Sequence, residues 1–343
     1  MTCHTFGMRR FVTSMAFSAV LLAACSSSDP SGEASPTVAP AATVAPESGP
    51  ETTSAPEPTT APAPQSESEP APTATEPASA ILDSITPLDV AGVSPHLEQL
   101  DDGSLRLFYA SIEAGGNAVA LCSAELVCEH QGAIERVSDV TVVETPAGER
   151  RAYFVEFDPQ ANDKMIYTGL ISDDGLTISD RSSLGFSSAG MMAWGVPDSV
   201  VTPNGLVRLF WVEAGDGRAS ERLVSATSTD GTGTEFVRDE GFRATGGYVD
   251  FEVLQALDGD WVAVMSTSPE NLPNDPQAIH VGFSDDGLEW DIDPTPISPL
   301  DMSYLDPTGV PTADGNWLIV MAVAPNAMGD RDYTSSSAIL RFP

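Results

Sequence analysis

The sequence predicts an all-β fold, a five-bladed β-propeller of four-stranded blades over residues 81–343, and three observations predict it. A tight turn followed by an apolar strand recurs five times. A second turn follows the first at a near-constant offset in three of those repeats. Helical periodicity has almost no support in this stretch. The first turns are Asp102-Gly103 before Leu-Arg-Leu-Phe-Tyr, Ala147-Gly148 before Arg-Ala-Tyr-Phe, and Asn204-Gly205 before Val-Arg-Leu-Phe-Trp. Asp258-Gly259 then precedes Trp-Val-Ala-Val-Met, and Asp314-Gly315 precedes Trp-Leu-Ile-Val-Met. Their glycines lie 45, 57, 54 and 56 residues apart. Asn-Gly and Asp-Gly between strand-like runs mark hairpins, because both central residues tolerate φ > 0.

The second turns are Ser172-Asp-Asp174-Gly175, Ser228-Thr-Asp230-Gly231 and Ser284-Asp-Asp286-Gly287. They lie 27, 26 and 28 residues after the first glycines. Each follows a strand pattern such as Ala278–Phe283, and each is followed by an apolar residue: Ile178, Phe236 or Trp290. These turns resemble the Asp-box hairpins of sialidase-type propellers, in which Ser and Asp cap the turn and the apolar residue packs beneath it. In that family the box is structural rather than catalytic. Two hairpins per repeat make one four-stranded blade. In blade 1 the turn Leu121-Cys-Ser-Ala-Glu-Leu-Val-Cys128 stands in place of the box. Outside the cytoplasm, two cysteines so close in sequence predict a disulfide between Cys122 and Cys128. A zinc site would need further partners such as His130. Blade 5 is one strand short, since Ala338–Phe342 reaches the C-terminus where the box would begin. A propeller must close, so the segment from Ala80 to Ile85 is expected to supply the missing strand.

Topology separates candidate functional residues from structural ones. Both turn types join strands 1–2 and 3–4, so strand 1 of every blade starts on the opposite face, beside the axis. Nine residues before the turn glycine lie Asp139, Asp250 and Asp306 in blades 2, 4 and 5, and Ser94 in blade 1; Asp198 lies seven before it in blade 3. Four of five blades are thus expected to aim a carboxylate at the channel mouth. Trp194, Tyr248 and Tyr304 come shortly before Asp198, Asp250 and Asp306. Flat rings beside carboxylates suit sugars, which offer apolar ring faces for stacking and hydroxyls for hydrogen bonds. The competing expectation is that the aspartates cap backbone amides and the aromatics fill gaps between blades. Arg106, Arg151 and Arg208, three residues after their turn glycines, are expected near the box face in inter-blade ion pairs. His96 and His280 read as core or channel residues rather than metal ligands. No metal site is expected; a calcium in the channel stays open as an alternative that no loop motif supports.

The opening Asp306-Pro-Thr-Gly-Val-Pro-Thr-Ala-Asp-Gly315 resembles the blade openings of five-bladed glycoside hydrolases of the arabinanase, xylosidase and levansucrase type. The resemblance implies an acid, a base and an orienting carboxylate, here drawn from Asp139, Asp198, Asp250 and Asp306 as catalytic candidates. Glu252, Trp194, Tyr248, Tyr304 and His96 are the ligand-binding candidates. The chain departs from that pattern in blade 1, where the family base would sit and Ser94 stands, and it lacks a glutamate opening blade 3. The Arg-Ile-Pro motif of sialidases is absent.

Upstream of the propeller the composition changes. Arg9-Arg10 precede a 14-residue uncharged, mostly apolar run, Phe11 to Ala24, too short to span a membrane but long enough for a signal. The run ends Leu22-Ala-Ala-Cys25, which resembles the lipobox of bacterial lipoproteins. The resemblance implies a signal peptide over residues 1–24, a lipidated Cys25, and an extracytoplasmic protein meeting the membrane through that anchor only. Residues 26–80 hold 12 prolines and 8 acidic residues, no Lys, Arg or aromatic, and only Val38 and Val44 as large apolar side chains. Such a segment cannot bury enough surface to fold, so residues 25–80 read as a disordered tether. The propeller carries 42 acidic and 13 basic residues. That balance excludes nucleic acid as a partner. The functional expectation is a surface-tethered propeller that binds a glycan or oligosaccharide, with glycoside hydrolysis the reaction if it is an enzyme. The alternative is a non-catalytic protein-interaction scaffold of the cell envelope.

Overall fold

In the computed structural model, the structure describes residues 80–187, 195–214, 221–267, 276–325 and 333–342. The predicted signal peptide, lipidated Cys25, tether and Trp194 lie outside the described residues. All described elements are strands: β1 (Ile81–Leu88), then β2 (Val93–Gln99), β3 (Leu105–Ser111), β4 (Gly116–Cys122) and β5 (Cys128–Glu135). Next come β6 (Ser138–Glu144), β7 (Arg150–Asp158), β8 (Asp163–Ile171), β9 (Ile178–Ser187), β10 (Asp198–Val201), β11 (Val207–Glu213), β12 (Arg222–Ser228) and β13 (Phe236–Arg238). The last are β14 (Tyr248–Leu257), β15 (Asp260–Thr267), β16 (Ile279–Ser284), β17 (Asp291–Ile292), β18 (Ser303–Pro311), β19 (Trp317–Ala324) and β20 (Thr334–Arg341).

They form five four-stranded sheets, β2–β5, β6–β9, β10–β13, β14–β17 and the composite β18-β19-β20-β1. All pairings are antiparallel, and β1 pairs with β20 from Ile81 opposite Arg341 to Leu88 opposite Ser335. The first strand of the domain therefore closes the last blade, as the sequence requires. Closure removes the open edge that an unpaired β20 would present.

Period-two alternation explains the core. Strands buried on both faces send alternate residues into two different seams. In β3, Phe108 packs against Val142, Ala152 and Phe154 of blade 2, while Leu107 and Tyr109 pack against Val310 and Val320 of blade 5. In β11, Leu209 and Trp211 join Tyr153 and Val155 of blade 2, while Phe210 and Val212 join Phe251 and Trp261 of blade 4. Val264 and Ile279 meet Ile319 and Met321 across the remaining seam. Five apolar clusters thus fill five seams, and no blade buries its faces alone.

The box-like turns lock neighbouring blades on one face. Asp174 Oδ1 accepts the Leu176 N–H at 3.0 Å, and Asp286 Oδ1 accepts that of Leu288 at 2.8 Å. Arg106 donates to the Asp173 carbonyl of the next blade at 2.5 Å, and Arg208 donates to the Asp286 carbonyl at 2.6 Å. Gly287 has φ +72°, and a Cβ there would lie 2.6 Å from the Trp261 ring. The expectation of inter-blade ion pairs for the three arginines is corrected. Arg106 and Arg208 reach the neighbouring blade through backbone carbonyls, and Arg151 pairs with Glu149 of its own blade. The ion pair crossing a seam belongs to the preceding residue, Arg150, with Glu98 at 2.6 Å. Cys122 and Cys128 face each other across β4 and β5 and are disulfide-bonded.

Candidate functional site at the channel mouth

Residues nine before each turn glycine are Ser94, Asp139, Val196, Asp250 and Asp306. All five are left-handed, with φ of 49°, 52°, 36°, 49° and 49°. None is glycine, so each conformation costs on the order of 1 kcal/mol and persists only because the surroundings enforce it. The enforcing feature is a break in register between strands 1 and 2. It falls between Val93 and His96, Ser138 and Thr141, Val249 and Glu252, and Leu305 and Thr308. In blade 3 the ladder begins only at Asp198. Bulges at such positions re-aim side chains, and these five residues line a common cleft.

The position of Asp198 is therefore a correction. Val196, not Asp198, is the blade 3 counterpart of the mouth aspartates. Three of five openings, not four, carry a carboxylate at that level. Asp198 belongs to a second tier, seven residues before each glycine: His96, Thr141, Asp198, Glu252 and Thr308. Each side chain of this tier reaches the next blade. His96 Nε2 accepts the Val142 N–H at 3.1 Å, Asp198 Oδ2 accepts the Val253 N–H at 2.9 Å, and Thr308 Oγ1 accepts the Leu97 N–H at 3.0 Å. Glu252 accepts the Gly309 N–H, and Thr141 bonds to the Ser199 hydroxyl at 3.0 Å. The tier is a closed belt of hydrogen bonds around the channel. Its members compensate backbone amides that the bulges free from the ladder.

The mouth tier continues this pattern over part of the ring. Asp306 Oδ2 accepts the Ser94 N–H at 2.7 Å, and Asp250 accepts the Asp306 N–H. Ser266 donates its hydroxyl to Asp250. Asp139 differs: its partners are hydroxyls, with Ser138 Oγ at 3.0 Å and Ser94 beside it.

Crowding and burial set the protonation. Burial raises Asp250 well above the ordinary 3.8, the Asp306 charge adds to it, and Asp250 donates its proton to Asp306. Burial lifts Asp306 itself to about 6. One tier down, burial and the Asp198 charge raise Glu252, which donates to Asp198, itself lifted by burial to about 6. These are two stacked carboxyl pairs, each sharing a proton because neighbouring like charges disfavour double ionisation. Burial also raises Asp139. His96 is pushed down to about 4 by burial, so it is neutral. Its Nε2 is an acceptor, which places the proton on Nδ1. That Nδ1 is buried, has no hydrogen-bond partner, and stands 3.9 Å from Glu252 Oε1.

Among the predicted site residues, the structure brings Asp139, Asp250, Asp306, Glu252 and His96 to the cleft, with Asp198 behind Glu252. It does not bring the described aromatics. Tyr304 is 3% exposed, packs in the seam between blades 4 and 5, and donates to Asp301 Oδ1 at 3.3 Å. Tyr248 packs edge-on to His280 at 5.3 Å, away from the cleft lining. Both precede the bulge, so their side chains follow the ordinary alternation into a seam. Sequence reasoning missed Val196, Thr141 and Thr308. The signal was present, since the offset of seven that singled out Asp198 recurs in every blade. Among the described residues no group of three or more His, Cys, Asp or Glu is arranged to hold a metal ion.

The arrangement defines a five-bladed propeller whose channel mouth presents carboxyls, hydroxyls and an unspent imidazole N–H. No protein-family model matches the chain, and no curated protein sequence does. Solved structures do. An α-L-arabinofuranosidase from Lactobacillus brevis superposes with a TM-score of 0.53 at 12% identity, over 73% of this chain and 91% of that one. An endo-1,4-β-xylanase from Bacteroides thetaiotaomicron gives 0.54 at 12% identity, over 74% and 91%. An N-acetylgalactosamine deacetylase from F. plautii gives 0.51 at 13% identity, over 76% and 94%. At these identities the likeness is one of fold.

Proposed function

We propose that this chain is a glycan-binding propeller, tethered outside the cytoplasm through Cys25, whose site is the cleft at the channel mouth. The observation that carries this reading is the convergence of Asp139, Asp250, Asp306 and His96 on one cleft. Acceptors and donors lie side by side there, as sugar hydroxyls require. The structural neighbours named for arabinofuranosidase and xylanase activity support a carbohydrate ligand. Against the scaffold alternative, Ser94, His96 and four carboxyls share the lining with the Pro, Val and Phe side chains, so the mouth is not an apolar plug. A glycan array probed with the purified chain tests the reading. Binding to a defined set of glycans supports it; retention of protein partners with no glycan bound would favour the scaffold.

Hydrolysis is the finer reading, and protonation is what favours it: a neutral Asp250 is a proton donor. Glycoside hydrolysis needs two carboxyls roughly 5–5.5 Å or 6.5–9.5 Å apart. Asp250 and Asp306 touch each other, so they cannot flank a bond between them. Asp139, the third carboxyl at the mouth, is the partner to test against either of them. Release of nitrophenol from aryl arabinofuranosides or xylosides, lost in Asp139→Asn, would support hydrolysis. Binding without turnover would leave a lectin-like role.

A further inference from the structure

Every ionisable side chain lining the cleft is either an acid or the neutral His96; no Lys or Arg lines it. Three carboxyls converge at the mouth, and Glu252 and Asp198 stand beneath them. Within this acidic set lies one unspent donor, the buried Nδ1–H of His96. His96 is 9% exposed, its other nitrogen is committed to Val142, and its Nδ1 lies 3.9 Å from Glu252 Oε1, both residues lining the cleft. A buried donor left without a partner is destabilising, and a ligand hydroxyl that accepts from it removes that cost.

We propose that the mouth takes a sugar end bearing a free amine, its ammonium group seated among Asp139, Asp250 and Asp306 while a hydroxyl accepts from His96 Nδ1. This rests on the glycan reading and narrows it to a cationic substrate class. Closely packed carboxyls need a neutralising positive charge, either a bound proton or a cation. An ammonium supplies that charge with three donors, matching three carboxyls. A uronic or sialic acid would meet repulsion from every ionised group in the lining. The enclosed space is about 20 Å³, room for one water-sized group, so it suits the ammonium itself, with the sugar ring left in the open part of the cleft.

The exchange balances. The ammonium enters with its proton, the Asp250–Asp306 pair gives up the proton it shares, and that proton goes to solvent. The titratable and charged groups around the pair are Asp139 from blade 2, with Lys164 acting on it from β8, then Glu252 from blade 4 and His96 from blade 1 in the same cleft lining, and Asp198 from blade 3 bonded to Glu252 behind it.

Titration calorimetry of the full chain with glucosamine, N-acetylglucosamine and glucose tests the proposal. At about pH 7.5 glucosamine should bind at least about tenfold more tightly than either neutral sugar. Near pH 6, its binding heat should vary with the ionisation enthalpy of the buffer, in the sense of proton release. Asp306→Asn keeps an oxygen for the Ser94 N–H and should lose both the preference and the proton release at an unchanged melting temperature. The wild-type comparison stands even if that variant folds poorly. Equal binding of neutral and amino sugars would overturn the amine proposal and leave the glycan reading intact. Absence of binding by all three, together with a blank glycan array, would overturn both.

Discussion

Mild acidification should stabilise this propeller through its buried carboxyl pairs. The perturbation is a shift from about pH 7.5 to about pH 5, and the sign follows from linkage. Asp198 and Asp306 are 3% and 7% exposed and are raised from 3.8 to about 6. Over this interval the native state binds protons that the unfolded chain has already released. Stability from these groups therefore grows as pH falls through the folded value and is lost as pH rises through it. Each contributes about 1.4 kcal/mol over the shift. His96 opposes them: lowered from 6.5 to about 4, it must stay neutral in the fold while the unfolded chain gains a proton. That subtracts about 2 kcal/mol. The three together leave a gain of roughly 1 kcal/mol, and Asp250 and Glu252, which burial also raises, add to it. Differential scanning calorimetry should show the melting temperature rising by at least about 2 °C. High salt screens surface repulsion but not these buried pairs, so the rise should persist in about 0.5 M NaCl. Asp306→Asn should reduce the rise. A melting temperature that is flat or falls between these pH values would refute the assignment of shared protons.

Three further outcomes follow from the same geometry. Unfolding the unreduced chain and adding a thiol probe should label neither Cys122 nor Cys128; labelling of both would rule out the bond. Deleting residues 81–88 strips the fourth strand from blade 5 and removes Leu82 and Ile85, which pack on the last seam; the melting temperature should fall by on the order of 10 °C, and an unchanged value would show that closure lies elsewhere. Gly287→Ala should cost about 1–3 kcal/mol more than Gly315→Ala, read by urea denaturation. Both glycines have positive φ, but only Gly287 has atoms, Trp261 and Arg208, within contact of a new Cβ. Equal costs would mean that the seam yields.

The fold was legible because its signals are local and repeated. Each Asp-Gly or Asn-Gly turn announces a hairpin, and the shortage of one strand in blade 5 demands β1. The site was legible only in part. Counting back from the turn glycines found Asp139, Asp250 and Asp306, because a bulge at a fixed register survives differences in loop length. It misplaced Asp198, since a carboxylate two residues off looks equivalent until the bulge reveals two tiers. Tyr248 and Tyr304 misled for a related reason. Adjacency to a site residue along the chain says little when the bulge turns one side chain to the axis and its neighbours into a seam. The hydrogen-bond belt could not be read at all, because each of its links joins residues from two different blades, such as His96 to Val142 or Asp198 to Val253.

Asp139 provides the most direct test of a glycan site at the mouth, because its hydrogen bonds run to the hydroxyls of Ser138 and Ser94 rather than to a backbone amide. The strongest ligand from the glycan array should be titrated into wild type and Asp139→Asn, with melting temperatures measured alongside. A loss of affinity of about tenfold or more at a melting temperature within about 2 °C of wild type is the predicted result. Unchanged affinity would place the glycan away from the channel mouth and contradict the account.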